Sequence, residues 1–314
     1  MNNEQKQKLI EKFLVLLTKK VEKSDIYTHP SFKTLIVAGS YADWKKNING
    51  ISAPSWRSLP DINIYLIING TNKEHLMISN FLARIYNELT NELDFNLLLD
   101  LHPFYKSYGN IDEKRFNLQL TTRVINSKNL NMYPDYCWFG WQSNFYELCS
   151  KEQNYLNKLY IRHPKRDLNW LKYMYLALAS YNNAVHMAVL SSMFEKDEVI
   201  FDEIYRYIKE VSKDGMSLAI TIDENFDYLD IKRWKSSLPE FYEKYYGKEA
   251  RTIIEKLEYY EHDYFKARKS ISINQIAGEF AVLLDAVYEK GFIERKKQLV
   301  RILKNDELIL PMWY

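Results

Sequence analysis

Cysteine is almost absent from this chain of 314 residues, which contains only Cys137 and Cys149. Two thiols make no disulfide framework, and their spacing fits no zinc pattern, so a reducing compartment is expected. An excess of one charge is missing too. Forty-three Lys and Arg stand against 41 Asp and Glu, a formal net charge of +2. No global basic field argues for nucleic acid, and only a local patch stays open. The opening "MNNEQKQKLIEKF" lacks the apolar core of a signal peptide, which sets a cytoplasmic expectation. Long uncharged apolar runs are also lacking. The most apolar long segment, Trp170–Phe194, contains Lys172, Asn182, Asn183 and His186, which are costly in hydrocarbon. A buried helix of a soluble bundle is expected there, not a membrane span. Internal repeats and low-complexity tracts do not occur.

What is present is an ordinary globular composition, 46% hydrophobic and 27% charged, enough to bury a sizeable core. The length suits two domains. Leu9, Phe13, Leu16 and Leu17 recur at helical spacing and predict a helix over Glu4–Lys20. Strands are predicted over Lys33–Ala38 and Ile62–Ile68, the second closed by Asn69-Gly70. A helix is predicted over Lys73–Asn91, a third strand over Phe95–His102 before Pro103, and a fourth over Arg115–Ile125. From about Gln142 the periodicity turns helical. Ile253, Leu257, Tyr260 and Tyr264 make one stripe; Ile276, Phe280, Leu284 and Val287 make another, with Gly291 placed as a C-terminal stop. The expectation is an α+β chain: a mixed-sheet domain over 1–130, then an all-helical bundle over 131–314, joined near 127–141.

The stretch that carries chemistry is "TLIVAGSYADW", followed by "LPDINIYLII". Strand side chains alternate, so Asp61, Asn63 and Tyr65 share one face while Ile62, Ile64 and Leu66 face the core. In the third strand Asn96, Leu98, Asp100 and His102 share a face. A carboxylate in "LLLDL" needs a cation, a hydrogen-bond network or solvent. If these two strands are neighbours, Asp61, Asn63 and Asp100 converge, and hard oxygen donors of that kind suit Mg²⁺. Gly39-Ser40 after a strand suits phosphate, because glycine admits close backbone approach and the serine hydroxyl donates. Together these parts describe a nucleotide–Mg²⁺ site for phosphoryl or nucleotidyl transfer.

"VAGSYA", then "PDINIYLI", then "LLLDL" resembles the nucleotidyltransferase superfamily with the DNA polymerase β-like fold, over roughly residues 33–102. An α/β head followed by helices is similar to the single-chain, antibiotic-type nucleotidyltransferases. The resemblance implies Mg²⁺-dependent transfer of a nucleoside monophosphate from an NTP, with ATP the expected one, to a hydroxyl of a small molecule held between the domains. It implies that Gly39 and Ser40 hold the triphosphate and that Asp61, Asn63 and Asp100 are the metal positions. The family usually has a carboxylate where this chain has Asn63, whose amide brings no charge. The segment Tyr41–Pro60 is longer than usual in the family; it contains Trp44, Trp56 and Arg57, and Arg57, Lys45 or Lys46 is the expected phosphate cation. The general base is expected early in the helical part, with Glu147 and Asp135 as candidates. Asn182, Asn183 and His186 form either a buried polar network or part of an acceptor pocket. Two other readings stand beside this one: a non-catalytic binding module of the same fold, and an enzyme that modifies protein or RNA in a toxin–antitoxin setting.

Overall fold

A computed structural model describes residues 1–46, 53–100, 111–127, 145–152, 155, 168–223, 234 and 237–293. The expected junction at 127–141, with Asp135, therefore lies almost wholly outside the described residues, as do Cys137, His102 and Pro103. The chain divides into two units, Met1–His163 with Glu261–Phe265, and Pro164–Tyr260 with Lys266–Tyr314.

In the first unit, helix α1 (Asn3–Glu22) opens with a capping box in which Asn2 and Gln5 satisfy each other's backbone N–H groups. The short α2 (Asp25–Thr28) leads into β1 (Phe32–Ala38). Gly39 then turns the chain into α3 (Ser40–Lys45). Strand β2 (Asp61–Ile68), helix α4 (Asn72–Leu93), β3 (Asn96–Asp100), β4 (Asn117–Asn126) and β5 (Phe145–Ser150) follow. The five strands form one mixed sheet in the order β3-β4-β2-β1-β5. Strand β4 runs parallel to both β2 and β3, whereas β1 is antiparallel to β2 and β5.

Alternation divides the sheet into two faces. Leu35, Val37, Ile62, Ile64, Leu66, Leu118 and Leu120 pack with Phe13, Leu17, Leu82 and Leu89 of α1 and α4 into the main core. Ile36, Ala38, Tyr65, Ile67, Ile125 and Phe145 form a smaller cluster on the opposite face. The polar residues of β2 belong to that second face. Strands β1 to β3 show in the sequence as apolar runs bounded by turn residues, and β4 by its alternation. The sequence reading misses β5, which it reads as helical. That strand is short and lies at the sheet edge, with only Phe145 and Cys149 buried, so periodicity carries little signal.

The second unit, among the described residues, is helical: α5 (Leu168–Ser191), α6 (Asp197–Ile222), α7 (Leu238–Tyr246), α8 (Lys248–His262), α9 (Tyr264–Ser270) and α10 (Ile273–Ala286). Residues Glu261–Phe265, at the α8–α9 junction, fall with the first unit. Two buried carboxylates are fully engaged in the second unit. Asp202 takes a bidentate pair from Arg268, at 2.8 and 2.9 Å. Glu279 accepts from the Tyr260 hydroxyl and from Lys256 Nζ, the latter at 2.9 Å. Among the described residues no single helix is long and apolar enough to cross a membrane.

Gly291 is not the helix stop the sequence suggests. It lies in a π-helical turn, Val287–Ile293, and is buried. A Cβ there would come within 2.5 Å of Leu218 Cδ2, so the glycine is present for close packing against α6.

The start of α4 gives a testable electrostatic consequence. Glu74 accepts from the Ser31 hydroxyl at 2.5 Å and from the Thr71 N–H at 2.6 Å, closing a second capping box. These hydrogen bonds hold its carboxyl down at about 2. A depressed folded pKa gives stability that is present above the ordinary carboxylate range, about 4.3, and is lost as pH falls from there through 2. Glu74→Gln should therefore melt below the wild type at pH 7, and the gap in melting temperature should close toward pH 2. A gap independent of pH would contradict this assignment.

Candidate active site at the β1–β2 end of the sheet

Backbone register sets the site. Ala38 pairs with Asn63, Asn63 with Thr121, and Thr121 with Asp100, while Phe145 pairs with Ala38. One row thus crosses all five strands immediately before Gly39. Asp61 lies one side-chain alternation beyond Asn63, opposite Gln119. The Gly-Ser turn and the Asp-Ile-Asn strand start are therefore neighbours in space, and contact is close. A Cβ on Gly39 would lie 2.9 Å from Asn63 Nδ2. Gly39 has φ 74 and ψ −149, a region that is essentially glycine-only.

The condition for convergence, that β2 and β3 be neighbours, is not met. Strand β4 lies between them, so Asn63 and Asp100 are separated by two interstrand gaps, about 10 Å. The parallel crossovers allow this insertion, and nothing in the local sequence announces it. Thr121, a neutral residue missed by the sequence reading, holds the position adjacent to Asn63.

Asp61 is engaged by Arg57. The guanidinium forms an ion pair with the Asp61 carboxylate, and its Nε lies 3.2 Å from Glu261 Oε2. All three side chains are mostly buried. Arg57 also lies over the Trp56 ring, 5.5 Å from its centroid. Several anchors hold this segment. Lys6 Nζ donates to the Arg57 carbonyl at 3.0 Å, Ser58 N–H to the Glu261 carbonyl at 3.1 Å, and Gln119 N–H to the Pro60 carbonyl at 2.9 Å. Burial lowers the Lys6 pKa, and the carbonyl contact uses its ammonium. Residues 53–60 are therefore tied to α1, β4 and the Glu261–Phe265 segment.

The remaining predicted residues divide clearly. Ser40 is the first residue of α3, beside Gly39. Lys45 is committed to Glu11 at 2.8 Å and to the Trp44 ring, 4.8 Å from its centroid. Glu147 pairs with Ile36 on the edge strand, a different row, separated from β2 by β1. That register puts it about 13 Å along the strands and about 10 Å across from Asp61, too far for a base acting there. Asn182, Asn183 and His186 are exposed on α5, so the buried network is not formed. Asp43, buried in the first turn of α3, is a carboxylate beside the Gly-Ser turn that the sequence reading did not single out. Its signal was its position four residues after Gly39, where helix N-termini favour negative charge.

Among the described residues no three His, Cys, Asp or Glu side chains are grouped to hold a metal ion. The donor chemistry at Asp61 nonetheless suits one cation. Its carboxylate is paired with the Arg57 guanidinium, and Asn63 lies two residues along the strand on the same face. One carboxylate and one amide do not fit a three-carboxylate centre, and a divalent ion held there would need Asp61 released from Arg57. No protein-family model, curated protein or solved structure matches this chain.

Gly39→Ala checks the turn. The backbone strain should cost about 1–3 kcal/mol in chemical denaturation. Asn63→Ala in the same background should recover little of it, because the steric clash is with a movable amide while the φ strain persists. Full recovery would assign the glycine to side-chain room alone.

Proposed function

We propose that the first unit binds a nucleoside triphosphate with Mg²⁺ at the Gly39-Ser40 end of its sheet and transfers the nucleoside monophosphate to a hydroxyl of a small molecule. The observation that carries this reading is the contact of Gly39 with Asn63, which makes the Gly-Ser turn and the Asp61-Ile62-Asn63 strand start one site. The motif order that resembles the nucleotidyltransferase superfamily supports it.

In this reading the backbone and hydroxyl of Ser40 donate to phosphate oxygens, and Gly39 lets the phosphate approach. Asp61 and Asn63 would hold the cation. Bound Mg²⁺ supplies charge stabilisation on the phosphate oxygens. Arg57, paired with Asp61 and Glu261, would supply a guanidinium to the triphosphate, a group it recognises well. ATP is the expected nucleotide. The Arg57–Asp61 pair favours a second reading, a binding module of the same fold in which that pair is permanent and no transfer occurs.

Calorimetry with Mg-ATP and Mg-GTP, followed by product formation from labelled NTP and candidate hydroxyl acceptors, tests both. Ser40→Ala should weaken nucleotide binding by about 1 kcal/mol. Asp61→Asn should abolish transfer, and Asn63→Asp should raise it by restoring a charged ligand. Nucleotide binding without transfer in both wild type and Asn63→Asp would select the binding module. Absence of nucleotide binding would overturn both readings.

A further inference from the structure

Arg57 serves two carboxylates, although one would neutralise it. Asp61 meets it at Nη1, and Glu261 approaches Nε at 3.2 Å. A guanidinium presents two paired edges to an anion, Nη with Nη and Nε with Nη. Each such edge of Arg57 has one end engaged by a carboxylate of this chain. The three groups sum to one negative charge, and the Glu261 side chain is only 11% exposed. A second carboxylate in such a place carries a desolvation cost that the shared guanidinium offsets only in part. The Glu261 contact is also fastened beside Arg57 in the chain. Glu261–Phe265 belongs to the first unit, whereas Tyr260 and Lys266 on either side of it belong to the second. Ser58 N–H donates to the Glu261 carbonyl at 3.1 Å, and the Tyr264 N–H donates to Ser58 Oγ at 2.5 Å. The His262 and Trp56 rings lie 6.3 Å apart. Ser58 follows Arg57 directly, so a shift of Arg57 reaches this segment through the backbone.

We infer that Glu261–Phe265 is an autoinhibitory strap, in which the Glu261 carboxylate occupies the edge of Arg57 that a triphosphate would take. The inference rests on the triphosphate reading of the same site. Carboxylate and phosphate oxygens compete for one guanidinium because both accept from the same paired N–H groups. A phosphate gripped by two N–H groups of Arg57 displaces either Asp61 or Glu261. Asp61 is the carboxylate the cation needs in that reading, so Glu261 is the one that leaves. Its departure also removes a negative charge from beside the triphosphate. Nucleotide and strap then oppose each other, and by linkage each weakens the other's hold by the same factor.

Calorimetry of the full chain with Mg-ATP tests this, with hydrogen exchange at the Tyr264 amide read on the same proteins. Glu261→Gln keeps the shape of the side chain and removes its charge. It should tighten Mg-ATP binding at least about fivefold. Ser58→Ala keeps both carboxylates and unfastens the Tyr264 N–H. It should tighten binding about threefold, the worth of one hydrogen bond. Saturating Mg-ATP should speed exchange of the Tyr264 amide in the wild type. A gain confined to Glu261→Gln would mean charge repulsion alone, and a gain confined to Ser58→Ala would clear Glu261 of any part. Either overturns the strap and leaves the nucleotide reading standing. So does binding that is tightened in neither variant, or a Tyr264 amide whose exchange is unchanged or slowed by Mg-ATP. Absence of Mg-ATP binding in the wild type and in both variants would overturn the strap and the nucleotide reading together.

Discussion

Two carboxylates share one guanidinium in the first unit, and the local structure around the candidate site depends on that arrangement. Arg57 reaches Asp61 at the start of β2 and Glu261 at the α8–α9 junction. Removing water from any of these three charges costs several kcal/mol, and each is affordable only because the others are present. The hydrogen bonds from Ser58 and the Tyr264 N–H to Ser58 Oγ tie the same two segments together. Segment 53–60 is thereby held over the end of β2, with the Trp56 ring alongside. A site built this way starts with its Asp61 carboxylate already paired with a cation, one guanidinium standing against two carboxylates.

That pairing has a functional consequence under the proposed reading. In that reading a site for a divalent cation and a triphosphate holds a guanidinium beside its carboxylate, a cation that suits the triphosphate. Arg57 pairs with Asp61, and in that reading it would become a phosphate ligand once a metal was bound. Asn63, the neutral residue at a position where the family resembled here usually has a carboxylate, makes this exchange less favourable than it would be with two acids.

Much of the fold was legible in the sequence, for physical reasons. Helices α1 and α4 each bury one regular face, so the period of 3.6 shows through, and β1 and β2 show as apolar runs buried on both faces of the sheet. The Gly39-Ser40 and Asp61-Ile62-Asn63 signals were legible because each ends or opens a strand. Strand order was not. Whether β4 falls beside or between β2 and β3 depends on crossovers that leave no local mark. The Arg57–Glu261 pair joins segments far apart in sequence, and no spacing rule reaches it. Gly291 was misread because a close approach to Leu218 and a helix stop use the same residue. Edge strand β5 gave too weak an alternation to detect.

The claim that Asp61 is a cation-binding carboxylate held in reserve by Arg57 is tested most directly by Mn²⁺ affinity, measured by electron paramagnetic resonance in wild type and Arg57→Gln, without nucleotide. Releasing Asp61 from its guanidinium should tighten Mn²⁺ binding in Arg57→Gln, and Asp61→Asn in that background should remove the gain. Mn²⁺ binding equally weak in the wild type and in Arg57→Gln, with both proteins folded, would show that Asp61 and Arg57 are a structural pair and that the end of β2 is not a metal site.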